Sequence, residues 1–373
     1  MSDQPAAEGS NPLTQPPTAG APESPAPAIP PSPAAPEPGP SGAQTPSGML
    51  QPGVLPVLQP QGDDKSGALA TVAALEKARS SRLVVLWLSD LALLSDGCVA
   101  PLYDQLVALG DLEHLDLVLY TQGGHSEIPW RVIALVREFT RHLSILIPHR
   151  AASAGTTLAL GADEIVMTRF AVLGPIDPSR QHPLLPRREG ERPEPVSVQD
   201  MRHAMQFILE AGGDDMAYTP EAMAQIFTAL FEKLHPLAIG AIEQSYALAK
   251  LVARRCLESH MSGPDDAVKV ERIVNQFCDD YKSHAYQISR REAKEAGLNV
   301  KFPSKRVEAA LMDLYRLYVA RPTLPPMFAA PGTMFRSHIG WLDSRDLQFR
   351  CEGDNFVDPN GATRPAGDRW VEY

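Results

Sequence analysis

Cysteine is scarce in this chain. Four occur in 373 residues, Cys98, Cys256, Cys278 and Cys351, and no two share a CxxC spacing. That excludes a disulfide framework and a thiolate metal site as readings, and fits a reducing cytoplasm. A basic surplus is also missing: 34 Lys and Arg against 45 Asp and Glu leave a net charge of −11. Nucleic acid is therefore not expected as a main partner. No apolar run approaches the roughly 18 residues of a spanning helix, and the N-terminus carries neither the charged nor the apolar region of a secretory leader. The expectation is a cytoplasmic protein with no stable membrane insertion. Residues 1–64 lack Lys, Arg and aromatic residues altogether and hold close to half of the 36 prolines. Such a segment buries too little apolar surface to offset its ordering entropy, so it reads as a disordered Pro/Ala-rich tail.

The remaining residues suffice for one α/β domain, placed at 65–325, and a C-terminal extension of short strands and turns, 326–373. Leu83–Leu88, Leu115–Tyr120 and Leu143–Ile147 are continuous apolar runs, as expected of strands buried on both faces. Helical patterns fall between them, at Val99–Leu109 and on the stripe Ile128, Val132, Leu135, Val136 and Phe139. This β–α alternation predicts a parallel sheet with crossover helices. A helical insertion is expected further on: one long helix over Glu221–Met261, apolar on more than one face, then Asp265–Tyr281, Arg290–Ala296 closed by Gly297, and Val307–Val319. Arg180–Pro195 reads as a basic, proline-rich loop.

The segment Leu143–Pro178, LSILIPHRAASAGTTLALGADEIVMTRFAVLGPIDP, carries the chemistry. Its strand leads into a turn where Ala151, Ala152, Ala154 and Gly155 crowd small side chains around Ser153. Small neighbours allow close backbone approach and leave a hydroxyl accessible, which suits a nucleophile; a plain helix N-cap is the competing reading. Upstream, Leu115–Tyr120 ends in Thr121-Gln122-Gly123-Gly124, and paired glycines after a strand can turn amides toward an oxyanion. Strand–Gly-Gly–helix followed by strand–small-Ser-small–helix is far more specific than either turn alone.

TQGG, PHRAASAGTTLALGADEIVM, AVLGPIDP and SHAYQISRREAKEAGLNV together resemble the serine dehydrogenase proteinase (SDH) family, a branch of the Clp-protease/crotonase fold related to signal-peptide peptidase A. The resemblance implies a Clp/crotonase-type fold and a serine peptidase that cuts peptide or protein substrates and forms homo-oligomers. It implies Ser153 as nucleophile, Asp177 of GPIDP and His284 of SHAYQI as its triad partners, and Gly123, Gly124 and Ala154 around the oxyanion. The family pattern has an acidic residue and then a proline after that histidine, where this chain has Ala285 and Gln287. No cofactor and no metal are implied.

The residues themselves leave the base open. His149, four positions before Ser153, and His125, beside the glycine pair, are expected to line the same pocket; Lys233, Lys250 and Lys282 are the lysine candidates. Asp163 of GADEIV reads as structural. Asp177, between Pro175 and Pro178, suits a held carboxylate or a simple turn. Two further readings of the whole chain stand beside the peptidase: a non-catalytic scaffold of the same fold, and a crotonase-like enzyme that stabilises a CoA-thioester enolate.

Overall fold

The computed structural model describes residues 66–180, 184, 196–210, 219–324 and 329–373. The expected tail 1–64, the boundary at 325 and all but Arg180 and Leu184 of the Arg180–Pro195 loop lie outside these residues. In chain order the elements are α1 (Ser66–Arg79), β1 (Arg82–Leu88), α2 (Val99–Leu109), β2 (Leu112–Tyr120), α3 (Ile128–Arg137), β3 (Thr140–Ile147), β4 (Arg150–Ala151) and α4 (Ala154–Ala159). Then come β5 (Glu164–Met167), β6 (Val172–Leu173), β7 (Ser179–Arg180), β8 (Val196–Ser197), α5 (Val198–Glu210), α6 (Pro220–Lys233), α7 (Pro236–Glu258) and α8 (Asp266–Asn275). The last are β9 (Ile288–Ser289), α9 (Arg290–Glu295), β10 (Val300–Lys301), α10 (Lys305–Val319), β11 (Met334–Asp343), β12 (Gln348–Val357) and β13 (Thr363–Glu372).

Among the described residues the main sheet has eight strands in the order β10-β5-β3-β2-β1-β11-β12-β13. The first five run parallel, and β11 joins β1 antiparallel to begin a meander. The alternation in β1 shows why the apolar runs form these strands. Val84, Leu86 and Leu88 pack into the core under α2, α3, α4 and α7, while Leu83, Val85 and Trp87 pack against α1 and α10. All six are at most 2% exposed, so both faces are covered, as a parallel sheet requires. The expected α/β fold with crossover helices and a helical insertion is present.

Two expectations need correction. The single long helix over Glu221–Met261 is two helices, because Pro236 cannot continue α6: Leu234 leaves the helical region and His235 caps α7, its ring accepting from the Leu237 N–H. The C-terminal extension is not short strands and turns but three ten-residue strands that extend the main sheet. Their sequence hides this because β13 is exposed along most of its length and therefore lacks an apolar alternation.

At the N-terminal ends of the parallel strands a buried polar cluster ties α1 to the sheet. Asp116, fully buried, pairs with Arg79 at 2.5 and 3.0 Å and accepts from the Ser81 hydroxyl at 2.6 Å. Arg79 also reaches Glu164 at 3.0 Å, and His114 Nε2 stands 3.2 Å from Asp116. Burial alone would raise the Asp116 carboxyl, but His114, Arg79 and Ser81 outweigh it and hold it below its usual range. A carboxylate with a lowered folded pKa stabilises above its unfolded value near 3.9, and that contribution fades as pH falls through the folded value. Asp116→Ala, which removes the fully buried partner of Arg79 and leaves it Glu164, is expected to cost about 1–3 kcal/mol in urea unfolding at pH 7. The difference between the two proteins should shrink below about pH 4.

Candidate active site

A second sheet of three short strands, β4-β6-β9, gathers the candidate residues. β4 and β6 are parallel and β9 runs antiparallel to β6. Ser153 follows the end of β4, Asp177 follows the end of β6, and His284 precedes the start of β9. With those strand directions, all three fall at one end of the small sheet. Residues 24 and 131 positions beyond Ser153 are thus brought to it by strand pairing rather than by local sequence.

Ser153 has φ 50° and ψ −112°. A non-glycine residue at positive φ is uncommon and costs on the order of 1–3 kcal/mol, so the surrounding structure must impose it. The Ser153 side chain makes no capping hydrogen bond, which sets aside the N-cap reading. What imposes the turn is close packing. A Cβ at Gly123 would stand 3.0 Å from the Ser153 Cβ, and one at Gly174 would stand 3.4 Å from the Ser153 nitrogen. The Thr156 hydroxyl lies 2.8 Å from the Ala151 carbonyl and 2.7 Å from that of Gly174, and it accepts from the Gly174 N–H at 3.1 Å. One buried hydroxyl so joins β4, α4 and the end of β6.

The glycine loop is held as tightly. Leu94 N–H donates to the Gly123 carbonyl at 2.8 Å, and His125 N–H donates to the Leu94 carbonyl at 2.9 Å. Between these bonds a Cβ at Gly124 would fall 2.2 Å from the Leu94 oxygen, so only glycine fits. Gly123 sits at φ +122°, and its N–H is taken by the Thr121 hydroxyl at 3.0 Å. The Ala154 amide opens α4 and has no acceptor within the helix.

Asp177 is 2% exposed and accepts from the Ser197 hydroxyl at 2.7 Å and from the Gln199 N–H at 3.3 Å. Gln199 in turn donates to the Cys278 carbonyl, tying α5 to the π-helical turn Gln276–Asp280. His284 places Nδ1 3.6 Å from Asp177 Oδ2, an ion-pair distance longer than a hydrogen bond. The Asp177 carboxylate raises the imidazole above its usual pKa, against burial, which lowers it. Ser197 and Gln199 escape the sequence reading, since they follow a loop without periodicity and carry no motif.

A cavity of about 280 Å3 adjoins this end of the small sheet. His284, Ala285, Tyr286 and Gln287 form one wall, and Ala152, Val172, Leu173 and Gly174 another, with Gln122 and Arg150 completing it. The expectation that His149 and His125 share the pocket does not hold. His149 stacks on Phe170 at 4.2 Å and meets Tyr315 edge-on at 5.2 Å, and burial lowers its pKa. His125 is exposed, contributing its N–H to the Leu94 bridge. Of the lysines, Lys250 is bound to Asp279 at 2.7 Å, while Lys233 ends α6 and Lys282 lies in a turn at φ 55°, both exposed. Asp163 is structural as expected, 2.7 Å from both Arg137 and the Leu143 N–H.

The raised His284 pKa is directly measurable. In an NMR titration His284 should have its midpoint above 6.5, and Asp177→Asn should bring it back toward that value. A midpoint unmoved by Asp177→Asn would mean the two groups do not interact. Because the folded value is raised, the pair's contribution to stability is present below the unfolded pKa and is lost as pH rises through the folded one.

Residues 107–187 match the family of ClpP-like SDH-type serine proteinases. Two proteins of Methanocaldococcus jannaschii are similar in sequence. The uncharacterized protein MJ0137 is 25% identical over 202 residues, 54% of this chain and 58% of its own length. The uncharacterized protein MJ1495 is 39% identical over 64 residues, 17% of this chain and 22% of its own. The chain thus spans little more than half of one relative and about a fifth of the other. Among solved structures, a mutant ClpP1 from Listeria monocytogenes is 12% identical, covering 63% of this chain and 98% of its own with a TM-score of 0.33. A mutant of the 1510-N membrane-bound stomatin-specific protease is 16% identical, covering 57% and 75% with a TM-score of 0.31.

Proposed function

We propose that this chain, whose residues 107–187 match the ClpP-like SDH-type serine proteinases, is a serine peptidase acting on extended peptide segments. One observation carries the reading: Ser153, without a capping role, is held at positive φ at the end of the small sheet where the Asp177–His284 pair also stands. In the proposed reaction the Ser153 hydroxyl attacks the peptide carbonyl while His284 Nε2 takes its proton. Asp177, facing Nδ1, orients the ring and stabilises the imidazolium. The carbonyl oxygen becomes an oxyanion that accepts from the amides of Gly124 and Ala154, with Gly123 setting the loop's approach. Collapse of this intermediate breaks the C–N bond, and His284 returns the proton to the leaving amine. Water, deprotonated by His284, then hydrolyses the acyl-Ser153 ester and restores the serine. The buried carboxylate and partly exposed imidazole suit these roles, since only the histidine has to meet substrate and water.

Ser153→Ala is expected to abolish labelling by a fluorophosphonate probe and to lower kcat on an unfolded protein substrate by about 10⁴ or more. Its circular dichroism spectrum should match wild type. A wild-type protein that the probe does not label would point instead to a non-catalytic scaffold, and turnover surviving in Ser153→Ala would discard the serine mechanism.

Homo-oligomer formation belongs to the same proposal. No residue from Glu221 to Lys233 of α6 is buried, although this helix carries Met223, Ile226, Phe227, Leu230 and Phe231. Phe231 is 46% exposed and Leu237, at the start of α7, 67% exposed. An amphipathic helix that leaves such large apolar side chains exposed among the described residues fits a second copy. Light scattering should find the full chain larger than a monomer at micromolar concentration, and Phe231→Asp with Leu237→Asp should reduce its mass. A monomeric wild type would remove this part of the reading. All four cysteines are free and buried, which fits a reducing compartment such as the cytoplasm.

A further inference from the structure

The cavity beside His284 contains a cation that the catalytic proposal does not use. Arg150 opens β4, pairs with Val172 of β6, and its carbonyl accepts from the Thr121 N–H at 3.1 Å, so its backbone is fixed between the glycine loop and the small sheet. Its guanidinium donates to Gln122 Oε1 at 2.9 Å. The Gln122 amide is itself oriented, because its Nε2 donates to Asp90 at 2.6 Å, which leaves the oxygen for Arg150. Among the described residues no carboxylate lies within ion-pair reach of Arg150. Asp90, across Gln122, also accepts from the Tyr120 hydroxyl at 3.2 Å. Two further acids near the cavity are engaged as well, while Asp200 is exposed and close enough for its charge to act on His284. Asp177 lies behind His284, and Glu292 holds the Tyr286 hydroxyl at 2.7 Å and caps α9 through Ser289.

A chain with a net charge of −11 thus places in the cavity lined by Ala152, Gly174 and His284 an arginine whose partner among the described residues is the Gln122 amide and not a carboxylate. A guanidinium has five N–H donors in a planar fork that fits a carboxylate bidentately, and Gln122 occupies only part of it. We propose that Arg150 makes this cavity a carboxylate-reading subsite, so that peptides bearing an acidic side chain or a free C-terminal carboxylate near the bond to be cut bind preferentially. The inference rests on the peptidase reading for its substrate class, but not for the presence of the anion site. Gln122 acts here as a positioning residue, holding the fork at a fixed angle to the cavity.

Binding, measured without turnover, tests it. The protein is the full chain with Ser153→Ala, alone or with Arg150→Gln or Arg150→Lys added. Three fluorescein-labelled alanine peptides serve as probes: one end-blocked with a central glutamate, its glutamine twin, and the glutamine peptide with its C-terminal carboxylate unblocked. Fluorescence anisotropy should show at least one carboxylate peptide binding about tenfold more tightly than the blocked glutamine twin. Which of them it is identifies the source of the carboxylate. Arg150→Gln should bring the peptides to within about twofold of one another, and Arg150→Lys should keep part of the preference, since it retains the charge but loses the fork. Equal binding of all three peptides, binding of none, or a preference that survives Arg150→Gln would overturn the subsite. Fluorophosphonate labelling of the wild type, read separately, tests the peptidase. Labelling without a carboxylate preference removes only the subsite, whereas a preference without labelling keeps the anion site and removes the peptidase.

Discussion

The candidate site depends on how closely three backbone segments approach one another: the Thr121–Gly124 loop, the turn at Ser153, and Gly174 at the end of β6. A Cβ at Gly123 or Gly174 would press on the serine turn, and a Cβ at Gly124 would overlap the Leu94 backbone. Side chains at these positions would push the segments apart and free Ser153 to relax out of its left-handed conformation. The strain there is thus supported by the absence of side chains around it, and by one buried threonine hydroxyl shared between neighbouring segments.

This explains what the sequence discloses and what it conceals. The small residues flanking Ser153 and the glycine pair are local patterns, and so are the apolar runs of β1, β2 and β3; each can be read along the chain. Asp177 and His284 carry no local signal that distinguishes them from turn residues, and they entered through family resemblance. The strand pairing that puts them together rests on two-residue strands, β4, β6 and β9, too short to leave a periodic pattern. Ser197 and Gln199, which fix the Asp177 carboxylate, are polar residues of no motif, and only tertiary structure gives them meaning. His149 is the opposite case, near Ser153 in sequence but turned away from it in the fold. Four positions from Ser153 is close in sequence, but β3 ends where its side chain turns toward Phe170 and Tyr315.

The C-terminal meander shows a further limit of pattern reading. Its inner strand β11 is anchored through Asp343, which accepts from the Tyr318 hydroxyl of α10 at 2.6 Å and from Arg321 at 3.0 Å. Burial pushes the Asp343 carboxyl above its usual pKa despite those partners, whereas the better-partnered Asp116 at the N-terminal strand ends is held low. Two buried aspartates on one sheet are therefore shifted in opposite directions by their surroundings, and counting acidic residues does not reveal it. The outer strand β13 gains its place from ladder bonds to β12 rather than from burial, so its composition remains that of a loop.

Charge is distributed around the site on the same principle. A dense ion-pair cluster lies at the N-terminal strand ends, where Arg79, Asp116 and Glu164 satisfy one another and fix α1. At the candidate site the pairing is looser: the Asp177–His284 contact is 3.6 Å long and half of the imidazole faces solvent. A fully satisfied network holds the scaffold rigid, and its members have little left to offer a ligand. Groups that are to exchange protons or grip a substrate need the reverse, one partner to orient them and a free side to work with. His284 against Asp177 and Arg150 against Gln122 share that arrangement. It separates them from the other histidines and lysines weighed above, which are stacked, salt-bridged or simply exposed.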